Sequence, residues 1–159
     1  MNIVILYDSR FGNTKKVAEA IAGTFGKPDK VRLLEVGKAK HADVTKPDLL
    51  IVGSPTHGGR PTQALQTFLD FIPLHSLNRV KVASFDTRFE AKDVNLFLKL
   101  LMGVIGFAAP KIANLLVSKG GNLIIPPAGF IVMGKEGPLK DGELLRAASW
   151  AISIHTAMV

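Results

Sequence analysis

There is no cysteine in these 159 residues, which excludes disulfides, thiolate nucleophiles and cysteine-ligated metal. Aromatic residues are few: one tryptophan, one tyrosine and nine phenylalanines. Lysine and arginine form no run longer than two, and aromatics do not alternate with them. No nucleic-acid partner is therefore expected. The glycine-lysine-serine/threonine ending of a P-loop is missing, which disfavours metal-assisted nucleotide hydrolysis. The spaced glycines of a dinucleotide fingerprint are missing too. The start of the chain lacks a basic region, apolar run and cleavage site in sequence, so no secretory signal is expected and a cytoplasmic location is.

What is present is an apolar, basic chain. Hydrophobic residues make up 47% and the formal net charge is +7. One domain over residues 1–159, with a full core, is expected from this length. The basic balance suits an acidic partner or an anionic surface, or is simply a solvated exterior.

The stretch Ile5-Leu6-Tyr7-Asp8-Ser9-Arg10-Phe11-Gly12-Asn13-Thr14 carries the most chemistry. It reads as a buried strand, a hydroxyl-rich turn and a helix start. Ser9, Asn13 and Thr14 offer side-chain hydrogen bonds, and Gly12 lets backbone approach a ligand. The following helix directs its free N–H groups and positive dipole end into the same turn. A single terminal phosphate fits such a turn; an ordinary helix cap would use the same residue types.

Strand–helix alternation continues along the chain. Continuous apolar runs at residues 3–7, 49–53 and 80–85 read as buried parallel strands. Residues 31–36 contain Arg32 and Glu35, which suits an edge strand. A fifth strand spans residues 123–133 but is interrupted by Pro126-Pro127. The expected fold is a doubly wound α/β sheet of five parallel strands, order 2-1-3-4-5, with helices on both faces. On the last helix, Leu144, Leu145, Ala148, Ile152 and His155 share a broad face, with Trp150 and Ile154 on the other side. Ligands of such sheets sit at the carboxyl ends of the strands, where residues 8–14, 54–62 and 85–89 form unusual loops.

Residues 96–117 are apolar enough to raise the question of a membrane span. Lys99, Lys111 and Pro110 make that expensive, so two helices broken at residues 106–110 are expected. Membrane contact through residues 94–109 is a minority expectation, beside a lid or partner surface.

The residue pattern resembles the flavodoxin family. Ile5-Leu6-Tyr7, Ser9, Gly12, Thr14, Ala18 and Ile21 stand at the fixed positions of its first-loop signature. Pro55-Thr56-His57-Gly58-Gly59 looks like its second flavin loop, and Phe85-Asp86-Thr87-Arg88 like a third-loop form from one branch. Gly129-Phe130-Ile131-Val132 and residues 137–144 resemble that branch's C-terminal block. The resemblance implies non-covalent FMN. Ser9, Arg10, Phe11, Gly12, Asn13 and Thr14 would hold its phosphate. Pro55, Thr56, His57, Gly58 and Gly59 would line one side of the isoalloxazine, and Phe85, Asp86, Thr87, Arg88 and Phe89 the other edge. It implies no catalytic residue and no metal, but electron transfer with a redox partner protein.

Two departures qualify the resemblance. His57 stands where many relatives place a ring-stacking aromatic, so either it faces the flavin or it faces water, with Phe89 or Phe107 covering the ring instead. Arg10, Arg60 and Arg88 fall in the three loops of this basic chain, where familiar flavodoxins are acidic. Arg88 or Arg60 is expected either to stabilise the anionic reduced flavin or to lie on the surface. The alternative function is an NAD(P)H-dependent quinone or flavin reductase of the same fold. A homodimer is left open.

Overall fold

The computed structural model describes residues 1–90 and 95–158; the side chains of Leu98 and Met102 also lie outside that description. In chain order the elements are β1 (Asn2–Tyr7), α1 (Asn13–Ala22), β2 (Lys30–Glu35), α2 (His41–Val44), β3 (Leu49–Pro55), α3 (Gln63–Asp70) and β4 (Lys81–Phe89). Then follow α4 (Leu96–Ile105), α5 (Ala108–Ser118), β5 (Asn122–Leu123), β6 (Ala128–Val132) and α6 (Glu143–Met158). All strand pairings are parallel, in the order β2-β1-β3-β4-β5, with β6 also pairing β4. β5 and β6 are the two halves of the interrupted fifth strand, both on the same edge of β4 and parted by Pro126-Pro127.

Period-two side-chain alternation sorts the core into two layers. Ile3, Ile5 and Tyr7 of β1 face α1 and α6, together with Val17, Ala18, Ile21, Ala147, Ala151 and Ile154. Val4 and Leu6 face the opposite layer with Leu65 and Leu69 of α3 and Ala108, Ile112 and Leu116 of α5. A strand buried on both faces is therefore apolar at every position.

The last helix sits differently from the pattern read in sequence. Ala147, Ala151 and Ile154 are buried, whereas Leu144, Leu145 and Ile152 are exposed. Trp150 packs edge-on against Phe85 and Phe130, with ring centroids 6.2 Å apart in both pairs. The small alanines, not the leucines, let α6 approach the sheet closely. A size-blind reading of apolar positions turns the helix the wrong way.

Candidate functional site

Every unusual loop leaves the same edge of the sheet, because all the strands run parallel. In the first loop, Gly12 has φ +86°, a left-handed geometry that favours glycine, and it precedes α1. Asp8 N–H donates to the Gly53 carbonyl at 3.0 Å, Ser9 N–H to Asp8 Oδ1 at 2.9 Å, and Lys15 N–H to Ser9 Oγ at 3.2 Å. Ser9 thus uses its hydroxyl to brace the turn. The backbone N–H groups of residues 10–14 find no acceptor among the described residues. Successive free donors at a helix start form an anion cradle.

The third loop reaches the first through Thr14 and Thr87, whose hydroxyls lie 2.9 Å apart and are buried. One bond uses one of their two hydroxyl hydrogens, leaving the other to donate elsewhere. Thr56 N–H donates to the Thr87 carbonyl at 2.9 Å, tying the second loop to the third. Arg10, Phe11, Asn13, Thr14, Pro55, Thr56, His57, Thr87, Arg88 and Phe89 line one cleft together.

The remaining candidate residues support that cleft from behind or beside it. Phe85 is fully buried and fills the space against Gly53, where an added Cβ would lie 2.0 Å from its ring. Asp86 is fully buried; Arg88 Nε and Nη2 donate to its two oxygens at 2.6 and 2.8 Å, and Ala109 N–H donates to it at 2.7 Å. The Arg88 guanidinium lies 3.7 Å over the Phe107 ring. Gly58 and Gly59 have φ +54° and +74°, closing the turn in which His57 and Arg60 exchange backbone hydrogen bonds. Arg60 itself is exposed.

Sequence reasoning overlooks a fourth loop. Val132 and Lys135 also line the cleft. Asn13 Nδ2 donates to the Glu136 carbonyl at 3.0 Å, so the turn after β6 lies over the start of α1. The available signal is a glycine-rich turn following a strand, the same kind that marks the first and second loops. Behind that turn, the Glu143 carboxylate accepts from Ile131 N–H at 2.6 Å and pairs with Arg146.

Among the described residues two buried side-chain nitrogens lack a hydrogen-bond partner, Trp150 Nε1 and His57 Nε2, and of these residues His57 lines the cleft. Burial lowers its pKa below the ordinary histidine value, and Arg10 and Lys135 lower it further against a smaller upward pull from Asp8. An imidazole held neutral keeps one donor and one acceptor nitrogen. The cleft proper encloses about 60 Å³, small beside the roughly 300–1,000 Å³ of typical ligand pockets. An adjoining hollow of about 550 Å³ shares Arg10 and His57 and adds Asp8, Ser9, Pro61, Thr62 and Gln63. The two together have the volume of a ligand site, with Arg10 and His57 on the wall between them.

The residues present fit a phosphate-bearing aromatic ligand. Free N–H donors and a spare threonine hydroxyl hydrogen meet the anion, and Pro55, Phe89 and Val132 offer apolar surface to a ring. Among the described residues, no group of three or more metal-ligating side chains occurs.

A family model described as Flavodoxin matches residues 5–150. A flavodoxin of Aquifex aeolicus is 40% identical over 75 residues, an alignment spanning 43% of this chain and 38% of that protein. A flavodoxin structure from the domain Archaea superposes with TM-score 0.78 at 22% identity, covering 99% of each chain. Oxidised flavodoxin 1 of Bacillus cereus gives TM-score 0.76 at 18% identity over 98% of each chain.

Proposed function

Because the chain belongs to the flavodoxin family, whose cofactor is FMN, we propose that it is an electron carrier serving a redox partner protein. Flavodoxins pass electrons to partner proteins. Bound FMN supplies the one- or two-electron chemistry. The protein holds it, orients it and controls water around it.

The carrying observation is the row of unpaired N–H groups at residues 10–14, set in the same cleft as the buried, unpartnered His57 nitrogen. In this reading the first loop and the Thr14–Thr87 pair hold the phosphate. Pro55 to His57 and Phe89 flank the ring, and His57 Nε2 faces it. Arg88, for which stabilising the reduced flavin and lying on the surface are the two expectations, is largely buried and ion-paired with Asp86. Its charge is already matched by Asp86, so it offers the ring little net charge and instead braces the third loop. The exposed Arg10, Arg60 and Lys135 make the rim basic, which suits a partner with an acidic docking patch.

Purified protein is expected to show the visible absorption bands of bound oxidised flavin, or apoprotein to quench FMN fluorescence on titration. Thr14→Val is expected to weaken FMN about tenfold, the loss of one hydrogen bond toward a charged group. A colourless protein without any response to FMN would refute the proposal. The reductase alternative predicts rapid oxidation of NADPH by a quinone without added reductase. The carrier reading predicts turnover only when a reductase is supplied.

A further inference from the structure

The helix between the third loop and α5 is apolar where it meets solvent. Leu96, Phe97, Leu100 and Val104 are 75%, 72%, 64% and 88% exposed. Their spacing of i, i+1, i+4 and i+8 places them on one face of α4. Lys99, also exposed, flanks that stripe, and α4 has no acidic residue. A contiguous stripe of large apolar side chains in water marks an interaction surface.

The helix is held in place at its C-terminal end. A Cβ on Gly59 would lie 2.1 Å from Ile105 Cγ2, so the second loop and the end of α4 are in direct contact. Lys111 Nζ caps the Ile105 carbonyl at 3.0 Å. The stripe therefore belongs to the same edge of the sheet as the cleft. Three more exposed apolar side chains, Phe11, Phe89 and Met133, leave the loops of that edge.

Charge decides what this surface meets. Arg10, Arg60, Lys99 and Lys135 are exposed on loops and helix at this edge. Among the described acids there, Asp8 holds Thr62, Asp86 is buried against Arg88, and Glu90 is bridged by Lys140, which leaves Glu136 and Asp141 exposed against those four cations. The balance is positive, as it is for the whole chain at +7. Ten residues of helix extend about 15 Å, half of the roughly 30 Å bilayer core. The described stretch Lys99–Ser118 has mean hydropathy 1.8, but Gly106-Phe107 breaks it into two helices. A short apolar stripe with a flanking lysine and a basic surround has the make-up of a helix that lies in a lipid interface rather than crossing it.

We infer that α4 and its basic surround dock this protein on an anionic lipid surface. The inference stands apart from the identity of the ligand, since it rests on α4 and the rim charges. Apolar burial and lipid charge act together, as reversible peripheral binding requires.

The test is vesicle flotation of the purified protein. Phosphatidylcholine vesicles are compared with vesicles of phosphatidylcholine and phosphatidylglycerol in equal parts. The expected result is binding to the anionic vesicles at low salt, weakened by added salt. Leu100→Glu with Val104→Glu is expected to reduce that binding at least about tenfold, because two exposed side chains lose their apolar burial in lipid. Near-ultraviolet circular dichroism of the double variant should match the parent, since neither residue is in the core. Light scattering supplies the second readout. No binding to anionic vesicles at low salt overturns the inference, as does equal binding by the double variant. So does a dimer that the double variant abolishes while vesicles capture nothing, because a second copy would then be the occupant.

Discussion

α4 and α5 follow one another along the chain, and both are rich in apolar residues, yet they have opposite fates. α5 buries Ala108, Ala109, Ile112, Ala113 and Leu116, which recur along one face, and turns Pro110, Asn114 and Ser118 outward. α4 leaves Leu96, Phe97, Leu100 and Val104 in solvent. The difference lies in size and anchoring. Alanines at the start of α5 let its backbone approach β4. Ala109 N–H reaches the buried Asp86 carboxylate at 2.7 Å, and Ala108 N–H reaches Thr56 Oγ1 at 3.0 Å. α5 is thus docked by packing and by hydrogen bonds to two of the ligand loops. α4 is held at its C-terminal end through Ile105, and Leu96, Phe97, Leu100 and Val104 have no such berth.

The largest expected effect comes from breaking the anchor of α5. Arg88→Gln would strip one partner from the buried Asp86 carboxylate while leaving the acid in place. A loss of about 3–5 kcal/mol in denaturant unfolding is expected, the scale for removing one partner of a buried pair. A midpoint unchanged by this substitution would mean that the pair does not hold the third loop.

Alanine truncations compare the helices directly. Ile112→Ala in α5 should cost about 2–5 kcal/mol, as buried aliphatic truncations do. Leu100→Ala in α4 should stay within about 0.5 kcal/mol, as exposed positions do. Equal losses at both sites would show that α4 is packed in solution and would remove the contrast.

The smallest effect concerns the second loop, which touches both helices through Gly59 and Thr56. Burial lowers the His57 pKa in the folded protein, with Arg10 and Lys135 adding to it. As pH falls below the ordinary histidine value of about 6.5, the unfolded chain takes up its proton first. Stability should therefore decline with falling pH over that window, and His57→Gln should remove part of the decline. An identical pH profile for the variant would place His57 in solvent instead.

Much of the site was legible in the sequence because its parts are contiguous and chemically marked. Gly12, Asn13 and Thr14 form a turn that any helix start would need. Its exceptional feature, a run of donors left unpaired, becomes visible only when the neighbouring acceptors are located. Arg88 shows the limit. Its position in a ligand loop suggested charge on the ring, but its side chain is committed to Asp86, two residues earlier in sequence and on the same strand. The turn over α1 was illegible for a different reason. Asn13 and Glu136 are 123 residues apart and meet through a side-chain contact to a backbone carbonyl, which carries no residue signature.

By itself the sequence determined the strands, the alternation with helices, the parallel sheet order and the loops that leave one edge. These follow from local periodicity and turn chemistry, which each segment carries within itself. The tertiary structure alone decided which faces α6 and α4 present, which acid neutralises Arg88, and that a fourth loop closes the cleft. Those outcomes depend on close approach between segments far apart in the chain, where side-chain size and the pairing of buried polar groups choose among faces that hydropathy leaves equivalent.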